Sequence, residues 1–435
     1  MILYAAKGRW TARRRFQPGH FAILTRALAG ETVRWTDRLA DLPQGGWALV
    51  IRAAGMAGGK VLGEGIGAGG LFVFDAISRE ERRALDRKDG VLVVDLDWDP
   101  LLAHEEVVAG LIGSIERSGL DPARIRLVHA NQTGRAPFEA LWRKLSGGAP
   151  PRTLEFPTSF ALSVAHHDGR HRPGEMAVRL ERARAALHGG KRSRLFTSLN
   201  GGLRASRLHL AAWLHHVRLL DRGHVSLMGY SKGAWLLKRM RRGSRTPPPA
   251  ALRRSVDNMP YGDELGGSLE KVWADLPLTL DLNGDRGVGS YERMAWESAD
   301  PAYYDDSWFS LVLEPHADQL DMLHITEKVA KPMLNAHPFL ALGSPGALAQ
   351  LRSYGFQTFA PQFDEAFDSW PWPRERHRRF LKAFLRLAQL APDDLRQVCI
   401  ELWPRCEHNY RHYLDGGARR SLSEAFQREV LEQLL

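Results

Sequence analysis

The sequence predicts an α/β protein built on parallel sheets. Short apolar runs rich in β-branched residues alternate with amphipathic segments; "VLVVDLDWD" (91–99), for example, precedes a segment with helical periodicity at 105–119. Strands that are apolar on both faces and joined by helices are typical of parallel sheets. The 435 residues exceed what one ordinary core accommodates, so we expect two domains.

In the first half of the chain, apolar runs bounded by turn residues predict strands, and "FEALWRKL" (138–145) predicts a helix between two of them. Residues 165–194 are rich in His, Gly and Arg and interrupt this alternation, so a domain boundary is expected inside them. The expected strands are "WALVIRAAG" (47–55), "GLFVFDAI" (70–77), "VLVVDLDWD", "RIRLVHAN" (124–131) and "RTLEFP" (152–157).

The second half repeats the alternation. "SPGALAQLRSYG" predicts a helix with Ser344 as N-cap, Pro345 at the first helical position and Gly355 after the end. The other expected elements are strands at "RLFTSLN" (194–200), "HVSLMGY" (224–230), "WFSLVLEP" (308–315), "HPFLALG" (337–343) and "FQTF" (356–359), with helices at 204–223, at 325–336 and from 373 to the C-terminus.

From these patterns we expect an N-terminal domain at residues 1–180, a C-terminal domain at 190–375 and a helical extension at 376–435.

The net charge of +10 arises from 60 Lys and Arg against 50 Asp and Glu, and the excess is concentrated at 179–194 and 238–245. Such runs suit an anionic partner, such as a phosphorylated ligand, nucleic acid or a membrane surface, and they also suit plain solvated helix faces. Two cysteines, no signal peptide and no long apolar stretch predict a cytoplasmic protein whose membrane contact, if any, is peripheral.

The segment "HITEKVAKP" (324–332) combines a helix start with charges. Thr326 is a candidate N-cap, which places Glu327 and Lys328 in the first turn, and Lys331 follows one turn later. The lysines could neutralise a diphosphate, while Glu327 could accept hydrogen bonds from sugar hydroxyls. The spacing also fits an ordinary helix start with surface lysines, and Pro332 predicts a kink or a late start.

This segment resembles the nucleotide-binding region of the α-1,3-fucosyltransferases and of a wider set of bacterial and phage glycosyltransferase-like proteins. In "SLVLEPHADQLDMLHITEKVAKPMLNAHPFLALG", a strand bearing Glu314 precedes the I-T-E-K residues, a helix and an apolar strand. The wider set is also similar at "FTSLNGGLRASRLHLAAWL", where Arg204 and Arg207 open a long helix after a strand ending in Asn. The resemblance covers roughly residues 195–370.

The resemblance implies a GT-B fold with two Rossmann-like domains, inversion at the anomeric carbon, no obligatory metal and no cofactor besides a nucleotide-diphosphate sugar as donor substrate. The acceptor would be a glycan or another surface polymer. Asp97 and Glu139, in the acceptor-side domain, are the candidates for catalytic base. The implied donor-binding residues are Arg204, Arg207, Lys328 and Lys331 for phosphates and Glu314 and Glu327 for ribose or sugar, with Thr326 as a further member of the set.

The chain departs from the family pattern in two places. "GGLRASR" is less polar than the corresponding run in the relatives, and Val329 or Ala330 stands where they often carry an aromatic residue. For this reason fucose is not carried over as the donor sugar.

A hydrolase is the main enzymatic alternative. Gly229, Ser231 and Gly233 form a G-x-S-x-G pattern between a predicted strand and a predicted helix, and Asp305 and His337 follow in the order of a triad. The bulky, basic Lys232 directly after the nucleophile argues against this interpretation.

Three further patterns suggest other chemistry. Asp95, Asp97 and Asp99 resemble the metal-binding D-x-D of GT-A glycosyltransferases, although alternating carboxylates are common at strand ends. Aromatics and Arg runs suggest nucleic-acid binding, but the aromatics lie mostly inside apolar runs, so no nucleic-acid partner is expected. A zinc site is suggested by Cys399, Cys406, His408 and His412, whose spacing matches no known finger.

Overall fold

A computed structural model describes residues 1–4, 20–52, 74, 77–96, 105–167, 173–230, 248, 250–278, 300–319 and 322–434. The chain divides into two compact units. Unit 1 comprises residues 1–165, 321–324 and 419–435, and unit 2 comprises 166–320 and 325–418. Each unit contains one parallel sheet, which confirms the α/β prediction.

Unit 1 contains a six-stranded sheet in the order β2-β1-β3-β4-β5-β6, with every neighbouring pair parallel. Its strands are β1 (Ile2–Tyr4), β2 (Arg34–Thr36), β3 (Trp47–Arg52), β4 (Val91–Asp95), β5 (Ile125–His129) and β6 (Arg152–Glu155). Its helices begin with α1 (His20–Leu28), α2 (Arg79–Arg87), α3 (Glu105–Ser118) and α4 (Arg135–Ser146), and α5 (Thr158–His167) spans the unit boundary.

The core of unit 1 follows from strands that are apolar on both faces. Val94 of β4 lies opposite Leu127 of β5, and both belong to a buried cluster that also contains Leu111 of α3 and Phe138 of α4. These contacts remove a continuous apolar surface from water, which is the main favourable term in folding.

Unit 2 contains a four-stranded parallel sheet in the order β10-β9-β7-β8. The strands are β7 (Arg194–Gly202), β8 (Gly223–Tyr230), β9 (Ser307–Leu313) and β10 (Phe339–Leu342). The helices are α6 (Pro173–Gly189), α7 (Ala205–His216), α8 (Ala250–Asp257), α9 (Gly266–Ala274), α10 (Pro301–Asp305), α11 (Glu327–Met333), α12 (Ala347–Ser353), α13 (Pro373–Ala388) and α14 (Pro392–Leu414).

The strand order of unit 2 reverses between β7 and β9. The chain passes from β7 to β8 on one side of β7, and β9 then pairs with the other side of β7. In open α/β sheets, ligands bind beyond the carboxyl ends of the strands at such a reversal. A ligand-binding site is therefore expected among the residues that follow β7 and β9.

The C-terminal helices are divided between the units. In unit 2, Phe384 of α13 packs against the sheet, and the Cys399 thiol of α14 donates a hydrogen bond to the carbonyl of Trp308. In unit 1, Phe426 at the end of α15 (Gly417–Phe426) packs on Phe21 and Phe156. The helical extension expected at 376–435 thus contributes to both units.

No helix in the described ranges is both long enough and apolar enough to cross a membrane.

The units separate between residues 165 and 166, at the start of the range 165–194 in which a boundary was expected and before the predicted domain end at 180. The basic run at 179–194 lies largely in the 17-residue helix α6. Leu180, Ala183 and Leu187 of this helix are buried, and arginines occupy several of its other positions. The segment is therefore an amphipathic helix, which its many arginines made hard to recognise from the sequence. The predicted strand at 70–77 lies almost entirely outside the described residues, as does the basic run at 238–245.

The segment "FQTF" is not a strand. The Asn409 side chain of α14 accepts a hydrogen bond from the Gln357 amide and donates one to the Gln357 carbonyl, at 2.8 and 2.7 Å. The side-chain amide of Asn409 therefore makes the backbone hydrogen bonds that a neighbouring strand would otherwise make with Gln357.

Ser344 is not the N-cap of α12. That position is occupied by Gly346 with φ of +81°, and the carboxylate of Asp368 accepts hydrogen bonds from the Leu348 and Ala349 amides. A capping carboxylate from a short 3-10 helix (Ala366–Ser369) later in the chain performs the expected function of Ser344. Gly355, with φ of +88°, does follow the end of the helix as predicted.

Candidate functional site

The predicted donor-site residues of unit 2 lie at the carboxyl edge of its sheet. Arg204 lies two residues after the end of β7 and directly precedes α7, and Glu314 directly follows β9, the strand beside β7. Arg207, in the first turn of α7, donates from Nη2 to the carbonyl of Leu313 at 3.3 Å. This contact joins the start of α7 to the end of β9, where the strand order reverses.

Glu314 connects this edge to the start of α11. Its side chain is buried, and its carboxylate accepts two hydrogen bonds from Thr326, one from the amide at 3.3 Å and one from the hydroxyl at 2.5 Å. Thr326 is the N-cap of α11, as predicted, and its Oγ1 accepts a hydrogen bond from the Lys328 amide. One threonine thus caps the helix and anchors it to β9.

The charged side chains of α11 form a compact group beside this anchor. Lys328 Nζ lies 2.7 Å from Glu327 Oε1 and donates to Thr326 Oγ1 at 3.2 Å. The side chains of Lys328 and Glu327 are 18% and 16% exposed, so both remain partly accessible. Lys328 and Lys331 also line a cavity of about 20 Å³, which is large enough for one water molecule.

The two carboxyl groups of the site are shifted in opposite directions. Burial raises the pKa of Glu314 above its ordinary value, although Lys328 and Thr326 oppose the shift. Burial would also raise the pKa of Glu327, but Lys328 and then Lys331 lower it below the ordinary value. Glu327 is therefore the carboxylate that stays ionised near neutral pH, next to a carboxyl whose ionised form is disfavoured.

The raised pKa of Glu314 predicts that the Glu314→Gln variant gains stability relative to wild type as pH rises above 4.5, the unperturbed value. An acid with a raised folded-state pKa contributes stability below its unfolded pKa, and this contribution is lost as pH rises through the folded value. Urea unfolding of both proteins at pH 4 to 8 measures the difference. A difference in stability that stays constant over this range would contradict the prediction.

Pro332 is accommodated because α11 is short. The helix begins directly after Thr326 and ends at Met333, so the proline lies in its last turn. The carbonyl of Pro332 accepts a hydrogen bond from the His337 amide at 3.0 Å and thereby closes the turn into β10. The late helix start that Pro332 suggested is wrong.

The two arginines of the predicted donor set differ in exposure. Arg204 is exposed at the start of α7, where no described side chain caps the helix. Arg207 is buried and bound to the main chain of Leu313. The guanidinium of Arg207 is therefore placed to position the end of β9, whereas that of Arg204 can meet a ligand.

Gly343, which directly follows β10, is a residue of this edge that was not predicted from the sequence. A Cβ atom there would lie 2.6 Å from Ala347 Cβ and 3.7 Å from Glu314 Cγ. Only a glycine leaves room for α12 to begin this close to the end of β10. The signal was visible as a strand followed by "GSPG" and a helix.

Neither candidate catalytic base lies among the unit 2 residues described above. Asp97 falls outside the described residues, and Glu139 lies on α4 of unit 1 in a surface ion pair with Arg143 at 3.0 Å. Asp95, the first carboxylate of the D-x-D pattern, is buried and accepts a hydrogen bond from the Phe21 amide at the start of α1. Asp99 also lies outside the described residues.

The hydrolase alternative lacks its acid and base pair. Asp305 forms ion pairs with Arg179 and Arg182 at 2.7 and 2.8 Å. The ring nitrogens of His337 are hydrogen-bonded to the Ser310 hydroxyl and the Ser307 carbonyl instead. Asp305 and His337 thus have separate partners, and Ser231 lies outside the described residues.

The suggested zinc ligands do not converge. Burial raises the pKa of the Cys399 thiol to about 12 and raises that of Cys406 well above its ordinary value, so both stay protonated. His408 and His412 each donate from Nε2 to a carbonyl, of Gly355 and Tyr354 respectively. Within the described ranges, no group of three or more His, Cys, Asp or Glu side chains could hold a metal ion.

Comparison with known proteins adds no family assignment. No protein-family model, no curated protein and no solved structure matches this chain.

Proposed function

We propose that the protein is a glycosyltransferase of the GT-B type, which transfers a sugar from a nucleotide-diphosphate donor bound by unit 2. The observation that supports this most is that Arg207 at the start of α7, Glu314 and the Thr326–Lys328 segment meet at the reversal between β7 and β9. These residues, far apart in sequence, are the ones that the resemblance to fucosyltransferases also selects.

The diphosphate would be bound by cations at this edge. Lys328 and Lys331 lie on α11, and Arg204 precedes α7, a 12-residue helix whose N-terminus carries the positive end of its dipole. Charge-assisted hydrogen bonds from these groups would stabilise the nucleoside diphosphate as it leaves. Arg207 acts in this proposal through Leu313, as a positioning residue.

The hydroxyl groups of the donor would be recognised by carboxylates. Glu327 is the ionised, partly exposed acceptor, and Lys328 orients it through the 2.7 Å ion pair. Glu314 holds Thr326 in place and thereby fixes where Glu327 and Lys328 begin. A ribose or sugar hydroxyl would replace part of the contact between Glu327 and Lys328.

The proposed reaction is a single displacement with inversion. An acceptor hydroxyl on a glycan or other surface polymer attacks the anomeric carbon, a base removes its proton, and the bond to the diphosphate oxygen breaks. Asp97 and Glu139 of unit 1 are the proposed bases, and Glu139 would have to release Arg143 to act. The arrangement of the two units as a GT-B enzyme is part of this proposal.

A thermal-shift panel tests the donor site. GDP, UDP, CMP and their sugars are added to wild type and to the Lys328→Ala variant. We expect one nucleotide to raise the melting temperature of wild type, and the alanine variant to need at least tenfold more of it, since a lost charge-assisted contact costs about 1.5–3 kcal/mol.

Lys144→Ala removes an exposed lysine of unit 1 and serves as the control. The absence of a shift with every nucleotide, or covalent labelling of Ser231 by a fluorophosphonate, would overturn the proposal.

A further inference from the structure

A row of cations runs along the exposed side of α13. Arg374, Arg378, Lys382 and Arg386 are spaced four residues apart, and all four are exposed. Side chains at this spacing are neighbours on one helix face, and twelve residues of helix span about 18 Å. The buried side of α13 includes Phe380 and Phe384, so folding fixes which face the cations occupy.

The row ends in a groove on the same unit. Arg386 lines this groove together with Arg352, Arg405 and Gln357, and the groove has a volume of about 930 Å³. We call Arg374, Arg378, Lys382, Arg386, Arg352 and Arg405 the cationic surface. It is continuous because Arg386 belongs to both the row and the groove.

The groove arginines are held in place through one nitrogen each. Nη1 of Arg352 donates to Thr358 Oγ1 at 2.9 Å, Nη1 of Arg405 donates to the Thr358 and Ala360 carbonyls, and Nη1 of Arg386 pairs with Asp364 at 2.6 Å. A guanidinium has five N–H donors. These contacts therefore orient the three groups and leave Nε and Nη2 for a ligand.

Three carboxylates, Glu375, Asp364 and Glu365, accompany the cationic surface, so its charge remains positive. At its start, Trp372 is 63% exposed, which offers a rigid apolar plane to a ligand. The surface thus suits a chain that carries repeated negative charges and some less polar faces.

We propose that the cationic surface binds an anionic glycan chain, which is the acceptor class of the proposed transferase. A sugar chain with carboxylates or phosphates at intervals can follow the row into the groove, and one sugar ring can pack against Trp372. The choice of a glycan among polyanions depends on the proposed function. The binding of a polyanion depends only on the surface.

Two other partners fit less well. Stable attachment of a surface helix to a bilayer combines cations with apolar side chains that insert, and in the described ranges the exposed large apolar residues are Trp372 and Val178. Single-stranded nucleic acid is usually bound by several aromatic side chains that stack on successive bases, whereas the cationic surface offers Trp372.

The test measures binding of the full chain to fluorescent polygalacturonate at several salt concentrations, with dextran of equal length as the neutral comparison. One variant combines Arg374→Glu, Arg378→Glu and Lys382→Glu. Its matched control combines Arg79→Glu, Arg83→Glu and Arg87→Glu, which reverses three exposed arginines at the same spacing on α2.

We expect binding of polygalacturonate but not dextran, with affinity falling as salt rises. The α13 variant should bind at least tenfold more weakly, while the α2 variant should change less than threefold. Equal losses in both variants, or no preference over dextran, would overturn the proposal. Tighter binding to single-stranded DNA or to anionic phospholipid vesicles would overturn the choice of a glycan.

The nucleotide thermal shift separates this inference from the donor site. The α13 variant should keep the shift of wild type, because its three substituted side chains are exposed and none of them belongs to the proposed donor site. If polygalacturonate binds and no nucleotide does, the proposed function fails and the glycan assignment fails with it. If a nucleotide binds and polygalacturonate does not, the cationic surface inference alone fails.

Discussion

Replacing Arg376 with methionine should destabilise unit 2 by about 3–5 kcal/mol, among the largest single-residue effects that we expect in this protein. Arg376 is fully buried, and its guanidinium donates to four carbonyls. The acceptors are those of Ala317, Gly343, Trp370 and Pro371, at 2.6, 3.2, 2.9 and 3.0 Å.

The size of this effect follows from what methionine leaves behind. Burial lowers the pKa of Arg376 to about 10, so the group is charged at neutral pH, and Asp368 and Asp318 partly compensate the charge. Methionine fills much of the volume and donates no hydrogen bond, which leaves four acceptors with no donor at about 1–3 kcal/mol for each one that stays buried.

Urea unfolding followed by circular dichroism measures the loss. Arg378→Met is the control, since that side chain is 44% exposed and surface substitutions usually stay within about 0.5 kcal/mol. A loss below about 1 kcal/mol for Arg376→Met would mean that water replaces the guanidinium easily, and the buried network would not have the role assigned to it here.

Truncating Phe384 to alanine should also cost about 3–5 kcal/mol, through lost burial and the cavity that remains. The centroid of its ring lies 5.2 Å from that of Phe196, 5.9 Å from that of Trp213 and 6.1 Å from that of Phe309, and all three ring pairs are edge to face. Phe196 and Phe309 lie on β7 and β9, so the contact fastens α13 to the two strands that end at the candidate site.

The same unfolding measurement tests this prediction, with Lys382→Ala as the control on the exposed side of α13. The proposed donor site should weaken with the core, so nucleotide binding by Phe384→Ala should be lost at a lower temperature than in wild type. An unchanged unfolding midpoint would show that α13 packs too loosely to support the sheet.

Both predictions treat residues 373–414 as an integral part of unit 2. The sequence predicts helices from residue 373 onward but not the surface against which they pack. The partner is the sheet itself, and Arg376 connects the same helix to the loops that follow β9 and β10. Periodicity identifies a face that must be buried but not the surface that buries it.

Most strands were predictable because a buried parallel strand carries a local signal. Residues 91–95, 125–129 and 307–313 are short apolar runs between turn residues, and all three are strands. The helix at 327–333 was predictable because Thr326 is a capping residue in the right position.

The failures have a common physical cause. "FQTF" has strand composition, but its backbone is hydrogen-bonded by Asn409, 52 residues away. Ser344 has the capping residue type, but Asp368 reaches the amides of α12 instead. In each case a side chain distant in sequence outcompeted the local choice, and a local pattern contains no information on such a competitor.

The candidate site divides in the same way. Residue type and spacing were enough to select Thr326, Glu327 and Lys328, because a cap and its first-turn charges are neighbours along the chain, whereas Glu314 was selected only by the resemblance to fucosyltransferases. Tertiary packing decided that Glu314 accepts two hydrogen bonds from Thr326. It also decided that Arg207 donates a hydrogen bond to the Leu313 carbonyl, 106 residues away. Local chemistry can propose a ligand-binding group, but only burial and the partners brought by the fold determine whether that group remains available to a ligand.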